Sequence, residues 1–228
     1  MLWEDNSNLA VFTVPDAVQE IVFRIRCDAL PVDHAWELYD GFTRKLSWID
    51  QEPNLGIHSI HVASSGNGWT RPLEPDAMLE LSRRTRMIVR VPKSRIDDTL
   101  RLSGETFTVG EHELKILEGK ARTLTSGKTL FARAVICEGD EQEETFFQRV
   151  VTDIRNMDIP VTKMMCGLPS TIRTPEKIYQ TRSVLVSDLE PKHSITLQQM
   201  GVGAGRHLGC GIFVPHKSLA AVGESQDD

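Results

Sequence analysis

A glycine-rich segment near the C-terminus, Gly201 to Lys217, constrains this chain more than any other stretch. Five glycines occupy odd-numbered positions from Gly201 to Gly211, and the pair Arg206-His207 lies among them. Glycine adopts turns that other residues avoid and leaves the main-chain N–H groups uncovered. Uncovered N–H groups beside cationic side chains suit the binding of phosphate. The segment ends in a short apolar run closed by Pro215, so we expect a glycine-rich loop followed by a last strand.

The first half of the chain alternates strand and helix patterns. Ile21, Phe23 and Ile25 recur with the period of two that is typical of a strand, and Asp33 is placed to cap a helix. The predicted order is strand, helix, strand, strand, helix, strand, which is the split βαβ pattern of ferredoxin-like folds. Its later members are predicted at Ile57–Ala63 (strand), Leu79–Val91 (strand), Ser94–Leu102 (helix) and Glu105–Leu117 (two short strands).

The second half repeats this pattern without repeating the sequence. The predicted elements are a strand at Thr129–Cys137, a helix at Glu141–Asp158, a hairpin of Val161–Arg173 and Tyr179–Leu189, a helix at Lys192–Met200 and a strand at Gly211–Pro215. We therefore predict an α+β fold of two tandem ferredoxin-like (RRM-like) units, with the glycine-rich loop before the last strand. The predicted ranges are 1–119 and 120–218, followed by an acidic disordered tail at 219–228.

Composition narrows the functional classes. The 228 residues carry a net charge of −6, which argues against a general nucleic-acid coat protein. Eight of the 32 acidic residues are segregated in Glu138–Glu144 and the tail, so the net charge does not exclude a local basic surface. The cysteines lack metal-ligand spacing, and we expect reduced thiols with no metal or cofactor. Without a signal sequence or a membrane-spanning run, we expect a soluble cytoplasmic protein with no membrane partner.

Four stretches carry a resemblance to a known family. They are Leu30–His34 (LPVDH), Gly56–His58 (GIH), Leu81–Arg86 (LSRRTR) and Leu208–Lys217 (LGCGIFVPHK). With the predicted fold and the glycine-rich loop, they resemble the repeat-associated RNA-binding superfamily of CRISPR systems. Within it the chain is similar to the Cas-six family of endoribonucleases, in the branch found in myxobacterial and cyanobacterial type I systems.

The resemblance implies an activity and partners. The family cuts CRISPR precursor RNA within its repeat without a metal: a ribose 2′-hydroxyl attacks the neighbouring phosphate and leaves a 2′,3′-cyclic phosphate. The implied partner is the repeat RNA, to which the enzyme stays bound as mature crRNA. Other subunits of a type I effector complex are further candidate partners.

The resemblance also places a catalytic histidine on or just after the first helix, a region that holds His34, His58 and His61. Histidine supplies both the base and the acid of this reaction near neutral pH. On a regular strand His58 and His61 would point to opposite faces, so only one would reach the phosphate. His34, in the first helical turn, would be disfavoured as imidazolium and suits a base. The assignment stays open among the three.

The candidate RNA-binding residues form two groups. One is a set of arginines expected on a strand face or edge, and the other is the glycine-rich segment with its cations. They are Arg83, Arg84, Arg86, Gly203, Gly205, Arg206, His207, Gly209 and Lys217.

The sequence suggests two other functions. A non-catalytic RNA-binding subunit of a CRISPR effector complex would share the fold, and only the several histidines argue against it. A dinucleotide-binding turn at the glycines would need a strand before them and a helix after them. The predicted order is the reverse, so that function is excluded.

Overall fold

The computed structural model describes residues 12–62 and 77–216. Lys217 and the predicted tail at 219–228 lie outside the described residues.

The first unit is a five-stranded antiparallel sheet covered on one face by two helices. The sheet order is β3-β5-β1-β7-β6, and α1 and α2 connect the strands as the split βαβ pattern requires. A short ribbon of β2 and β4 lies beside it. The bounds are Val18–Arg26 (β1), Ala29–Pro31 (β2), Ala35–Thr43 (α1), Gly56–Ile57 (β3), Met78–Glu80 (β4), Arg86–Pro92 (β5), Ile96–Leu100 (α2), Thr106–Val109 (β6) and His112–Thr123 (β7).

The second unit repeats the arrangement with four antiparallel strands in the order β11-β8-β10-β9. Its bounds are Leu130–Ile136 (β8), Glu143–Arg155 (α3), Lys163–Arg173 (β9), Ile178–Ser187 (β10), Pro191–Met200 (α4) and Phe213–Pro215 (β11). The prediction of two ferredoxin-like units is thus confirmed. β7 runs to Thr123, four residues past the boundary predicted at 119.

Each unit has its own apolar core, built from the periodic residues of its strands and helices. In the first, Ile21, Phe23 and Ile25 of β1 are buried with Leu38 and Phe42 of α1. In the second, α3 buries the face that carries Phe146, Val150 and Ile154. Burial of each such side chain is worth about 1.5–3 kcal/mol, so these faces fix which side of each sheet the helices cover.

The two units are joined by buried polar contacts and a small shared apolar cluster. Arg90 of β5 is fully buried and donates from Nη1 to the Gln198 carbonyl at 2.6 Å and to the Phe213 carbonyl at 3.0 Å. Leu208 and Cys210, from the glycine-rich loop, pack with Ala35 of α1. The open face of the first sheet therefore meets the second unit.

Two predicted strands are shorter than expected. The strand predicted at Leu79–Val91 is split into β4 and β5 by a turn, in which the Thr85 N–H donates to the Ser82 carbonyl at 2.9 Å. The strand predicted at Ile57–Ala63 ends at Ile57, because the Ile60 N–H donates to His34 Nε2 rather than to a neighbouring strand. In the turn the Ser82 N–H also donates to Thr85 Oγ1 at 3.2 Å, so side-chain acceptors compete with the sheet at both places.

Candidate functional site

An open cavity of about 580 Å³ lies where the two units meet. The first unit supplies His58, Ser59 and His61 from the segment after β3, together with side chains from β1, β5, β7 and the β4–β5 turn. The second unit supplies residues of β8, α4 and β11. The lining carries four arginines and one carboxylate: Arg84, Arg86, Arg122, Arg133 and Glu20. The cavity is therefore cationic and suits a polyanion.

His58 and His61 line this same cavity. The expectation that they point to opposite faces was wrong, because it assumed a regular strand and β3 ends at Ile57. In the irregular segment that follows, the period-two rule does not apply. Two histidines at one cavity provide the two groups that general acid–base catalysis needs.

His58 is held as a neutral imidazole. Its Nε2 is buried, has no hydrogen-bond partner among the described residues, and lies 3.5 Å from Glu20 Oε1. Burial, and then the charge of Arg90, lower the pKa of His58 to about 3. Glu20 opposes this shift, while Arg206 and Arg122 add to it.

Glu20 is the buried centre of a charge network that reaches the surface at Arg122. Its Oε1 accepts from Arg90 Nη2 at 2.6 Å, and its Oε2 accepts from Arg122 Nε at 3.0 Å and Nη2 at 2.7 Å. Burial acts to raise the pKa of Glu20, but the positive charge that His58 gains at low pH, the charge of Arg90 and the arginine hydrogen bonds together lower it to about 2. Glu20 is therefore a carboxylate at neutral pH.

The predicted arginine cluster is only partly at the cavity. Arg84 and Arg86 line it, and Arg83 lies exposed in the β4–β5 turn, where its carbonyl accepts from Arg86 Nη1 at 3.0 Å. Arg133 of β8, which the sequence reasoning missed, reaches the cavity from the other unit. Within residues 12–62 and 77–216 Arg133 forms no ion pair, and partial burial lowers its pKa. Its guanidinium is available to an anionic ligand.

The geometry argues against a catalytic role for His34. The side chain is 1% exposed, its Nδ1 lies 2.7 Å from the Pro31 carbonyl, and its Nε2 accepts from the Ile60 N–H at 2.9 Å. Nδ1 therefore carries the proton and donates it, so both ring nitrogens are occupied by the backbone. His34 fixes the segment that carries His58 and His61 and does not line the cavity.

Arg206 likewise has a structural position. It is 9% exposed, and its guanidinium donates to the Leu55 carbonyl at 3.3 Å and the Met200 carbonyl at 2.5 Å. Burial, with the charge of Arg90, lowers its pKa to about 10. These contacts argue against the expected phosphate contact, because they hold Arg206 between the two units.

The loop glycines are needed mainly by the protein's own packing. A Cβ at Gly209, where φ is +82°, would lie 2.6 Å from Ser59 Oγ, and one at Gly205 would lie 2.6 Å from Ile136 Cδ1. A Cβ at Gly203 would meet only Val135 Cγ1 at 3.8 Å, and Gly203 is exposed. Of these three candidates for RNA contact, only Gly203 offers open main chain.

His207 lies at a second cavity of about 450 Å³, between the glycine-rich loop and the segment after α1. Its ring packs on Tyr39 with centroids 4.6 Å apart, and burial lowers its pKa although Asp50 acts to raise it. The Tyr39 hydroxyl donates to Asp50 Oδ1. His207 is absent from the lining of the His58 cavity.

The sequence reasoning missed Glu20, Arg122 and Arg133. Glu20 follows the alternation of β1 on its open face, where a charged residue is usually solvated. The signal that could have identified them is the strand pairing. Glu20 lies opposite Arg90 on one neighbouring strand and opposite Arg122 on the other, so three charged side chains form one row across the sheet.

The residues that the structure describes hold neither a metal-binding cluster nor a membrane-spanning helix. No group of three or more His, Cys, Asp or Glu residues in this part of the chain could hold a metal ion. None of its helices is long and apolar enough to cross a membrane.

Comparisons with known proteins agree with the fold. A curated relative, the CRISPR-associated endonuclease Cas6 of Myxococcus xanthus, is 26% identical over 215 residues, which cover 94% of this chain and 86% of that protein. A structure of a Cas6-related gene product from Pyrococcus furiosus has a TM-score of 0.58 at 15% identity and covers 86% of this chain and 97% of that one. A solved CRISPR-associated protein Cas6 has a TM-score of 0.62 at 12% identity and covers 88% and 100%.

The family model described as Cas6 Crispr matches residues 19–218, which include both units, the cavity between them and the glycine-rich loop. The chain therefore belongs to the Cas6 family.

Proposed function

We propose that this protein is an endoribonuclease that cuts CRISPR precursor RNA within its repeat, by metal-independent attack of a ribose 2′-hydroxyl on the adjacent phosphate. The products are a 2′,3′-cyclic phosphate and a 5′-hydroxyl, and the protein stays bound to the mature crRNA. The curated relative is named an endonuclease, which supports this activity class. The observation that carries the proposal is that His58 and His61 share one cationic cavity at the junction of the units.

His58 acts as the general base. Its imidazole is neutral, and its buried nitrogen is Nε2, so Nδ1 is the nitrogen left to face the cavity and take the 2′-hydroxyl proton. A base with so low a pKa is weak in the free protein. An RNA phosphate in the cavity raises the pKa of His58, because a nearby anion favours the imidazolium.

His61 supplies the proton to the departing 5′ oxygen, since it is the second histidine of the cavity. Negative charge grows on the phosphate as the 2′ oxygen attacks, and a fixed cation lowers that barrier. Arg133 serves this role, because it lines the cavity beside both histidines and has no ion-pair partner in the described part of the chain.

The RNA follows the open face of the first sheet towards the cavity. Cross-strand register places Lys120 opposite Val22, and Lys115 opposite Arg26, on this face. Arg24, Arg26, Lys115 and Lys120 are all exposed. Such a row binds the phosphate backbone with an affinity that falls steeply with salt.

Single-turnover cleavage of repeat RNA tests the proposal. Cutting should persist in EDTA and stop with a 2′-deoxy nucleotide at the cut site. His58→Ala and His61→Ala should each slow it about 10²–10⁴-fold with repeat affinity unchanged. His112→Ala is the matched control, because His112 lies at the start of β7, away from the cavity.

Normal cutting of the deoxy substrate refutes the mechanism. Tight binding without any cutting by the wild-type protein favours the alternative of a non-catalytic RNA-binding subunit.

A further inference from the structure

We infer that Glu20 is a positioning residue for His58: its carboxylate holds the Nε2–H tautomer, keeps Nδ1 facing the cavity and stabilises the imidazolium formed during cutting. The inference rests on the proposed function in that His58 is taken as the base.

The geometry of the carboxylate leaves one place for His58. Glu20 Oε2 is occupied by two bonds from Arg122, and Oε1 accepts one bond from Arg90. A carboxylate oxygen has two lone pairs, so Oε1 retains one acceptor direction. His58 Nε2 lies 3.5 Å from that oxygen.

The imidazole has the complementary need. Nε2 is buried and has no other hydrogen-bond partner among the described residues, and an unpaired buried N–H is costly. A shift of a few tenths of an ångström closes a normal hydrogen bond to Oε1. Catalytic hydrogen bonds are often long in the free enzyme and shorten when substrate binds.

The surrounding charges explain why a carboxylate is needed. Arg90 from β5, Arg122 from β7 and Arg206 from the glycine-rich loop all face His58 and disfavour its protonated form. Glu20 is the anion among the charged groups that act on His58 within the described ranges. Arg90 is itself anchored by two carbonyls of the second unit, so the carboxylate is fixed on a rigid support.

The first experiment reads the tautomer directly. Side-chain ¹⁵N NMR of the free protein, with the His58 signals assigned from the spectrum of His58→Ala, should show a neutral ring protonated at Nε2. In Glu20→Gln the population of the Nε2–H tautomer of His58 should decrease, because the glutamine side-chain amide can also donate a hydrogen bond to the ring. A wild-type ring protonated at Nδ1 overturns the inference, whether or not RNA is cut.

The second experiment reads catalysis. Glu20→Gln should slow single-turnover cutting about 10- to 100-fold, a part of what acid–base catalysis supplies, with repeat affinity retained. The acidic limb of its pH–rate profile should move to lower pH, because loss of the anion lowers the pKa of His58. In a His58→Ala background the same change should have little further effect, since the two residues act as a unit.

An equal slowing by Glu20→Gln with and without His58 overturns the inference, because Glu20 then acts through the fold alone. Glu20→Asp is the control for misfolding, because it keeps a negative charge beside Arg90 but moves the carboxylate away from His58. This variant should fold, and its cutting should be slower than that of the wild-type protein. Wild-type cutting by Glu20→Asp also counts against the dyad. If His58→Ala cuts normally, the proposed site is wrong, and the NMR result alone decides the pairing.

Discussion

Replacement of Arg206 distinguishes a buried structural arginine from an RNA ligand. Arg206→Ala removes two charged hydrogen bonds, to the Leu55 and Met200 carbonyls, and leaves those carbonyls without this donor. Such bonds are worth about 1.5–3 kcal/mol each, and part is regained because the guanidinium is no longer desolvated. We expect a loss of about 2–4 kcal/mol in the free energy of unfolding.

Urea unfolding followed by tryptophan fluorescence measures this loss, alongside titration of repeat RNA at several salt concentrations. In thermal unfolding the same loss of about 2–4 kcal/mol corresponds to a decrease of roughly 4–16 °C in Tm for a protein of this size. Per folded molecule, the salt dependence of RNA binding should be unchanged.

Arg133→Ala is the matched control, because Arg133 opens onto the cavity and has no ion pair in the part of the chain that the structure describes. In Arg133→Ala the free energy of unfolding should change by less than about 0.5 kcal/mol. The slope of log affinity against log salt concentration should become shallower by the amount that one phosphate contact contributes. The structural role of Arg206 is refuted if Arg206→Ala keeps the wild-type free energy of unfolding and instead shows the shallower salt dependence of RNA binding that is expected for Arg133→Ala.

Three further outcomes are expected. His34→Ala leaves the Pro31 carbonyl and the Ile60 N–H unpaired and should cost about 2–5 kcal/mol in urea unfolding, whereas a catalytic His34 would lower cutting without this loss. Gly209→Ala should destabilise the protein much more than Gly203→Ala by the same assay, because only the first side chain would clash, with Ser59; equal losses would contradict this. The pKa of His58 is lowered from 6.5 to about 3 and that of Glu20 from 4.5 to about 2, so the unfolded chain binds more protons than the native state between these values. The contribution of these two groups to the free energy of unfolding should therefore be complete above pH 6.5 and decrease as the pH drops towards 2. His58→Ala should make the curve of unfolding free energy against pH flatter between pH 6.5 and 4.5. An unchanged curve would show that His58 is not buried as a neutral group.

The sequence by itself determined the architecture, because periodic burial and turn chemistry are local. The alternation Ile21, Phe23, Ile25 specifies one buried strand face, and Phe146, Val150 and Ile154 specify one helix face. The glycines predicted a loop, and those from Gly201 to Gly211 all have positive φ. The four motifs also indicated the family. These features depend on neighbours a few residues apart, so they can be read without the tertiary structure.

Only the tertiary structure decided the roles of the charged residues. Arg206 and His34 look like site residues in the sequence, yet each is buried and bonded to the backbone, with one partner far away in the chain: the Leu55 carbonyl for Arg206 and the Ile60 N–H for His34. Glu20 looks like a solvated residue on an open strand face, yet it is 5% exposed and bonded to Arg90, which the second unit covers. Whether a charge is solvated, paired or facing a ligand depends on contacts with residues far away in the chain, 102 positions between Glu20 and Arg122 and 151 between Leu55 and Arg206. The local sequence pattern does not contain these contacts, because the free energy of a charged side chain depends on the groups that surround it in the folded structure.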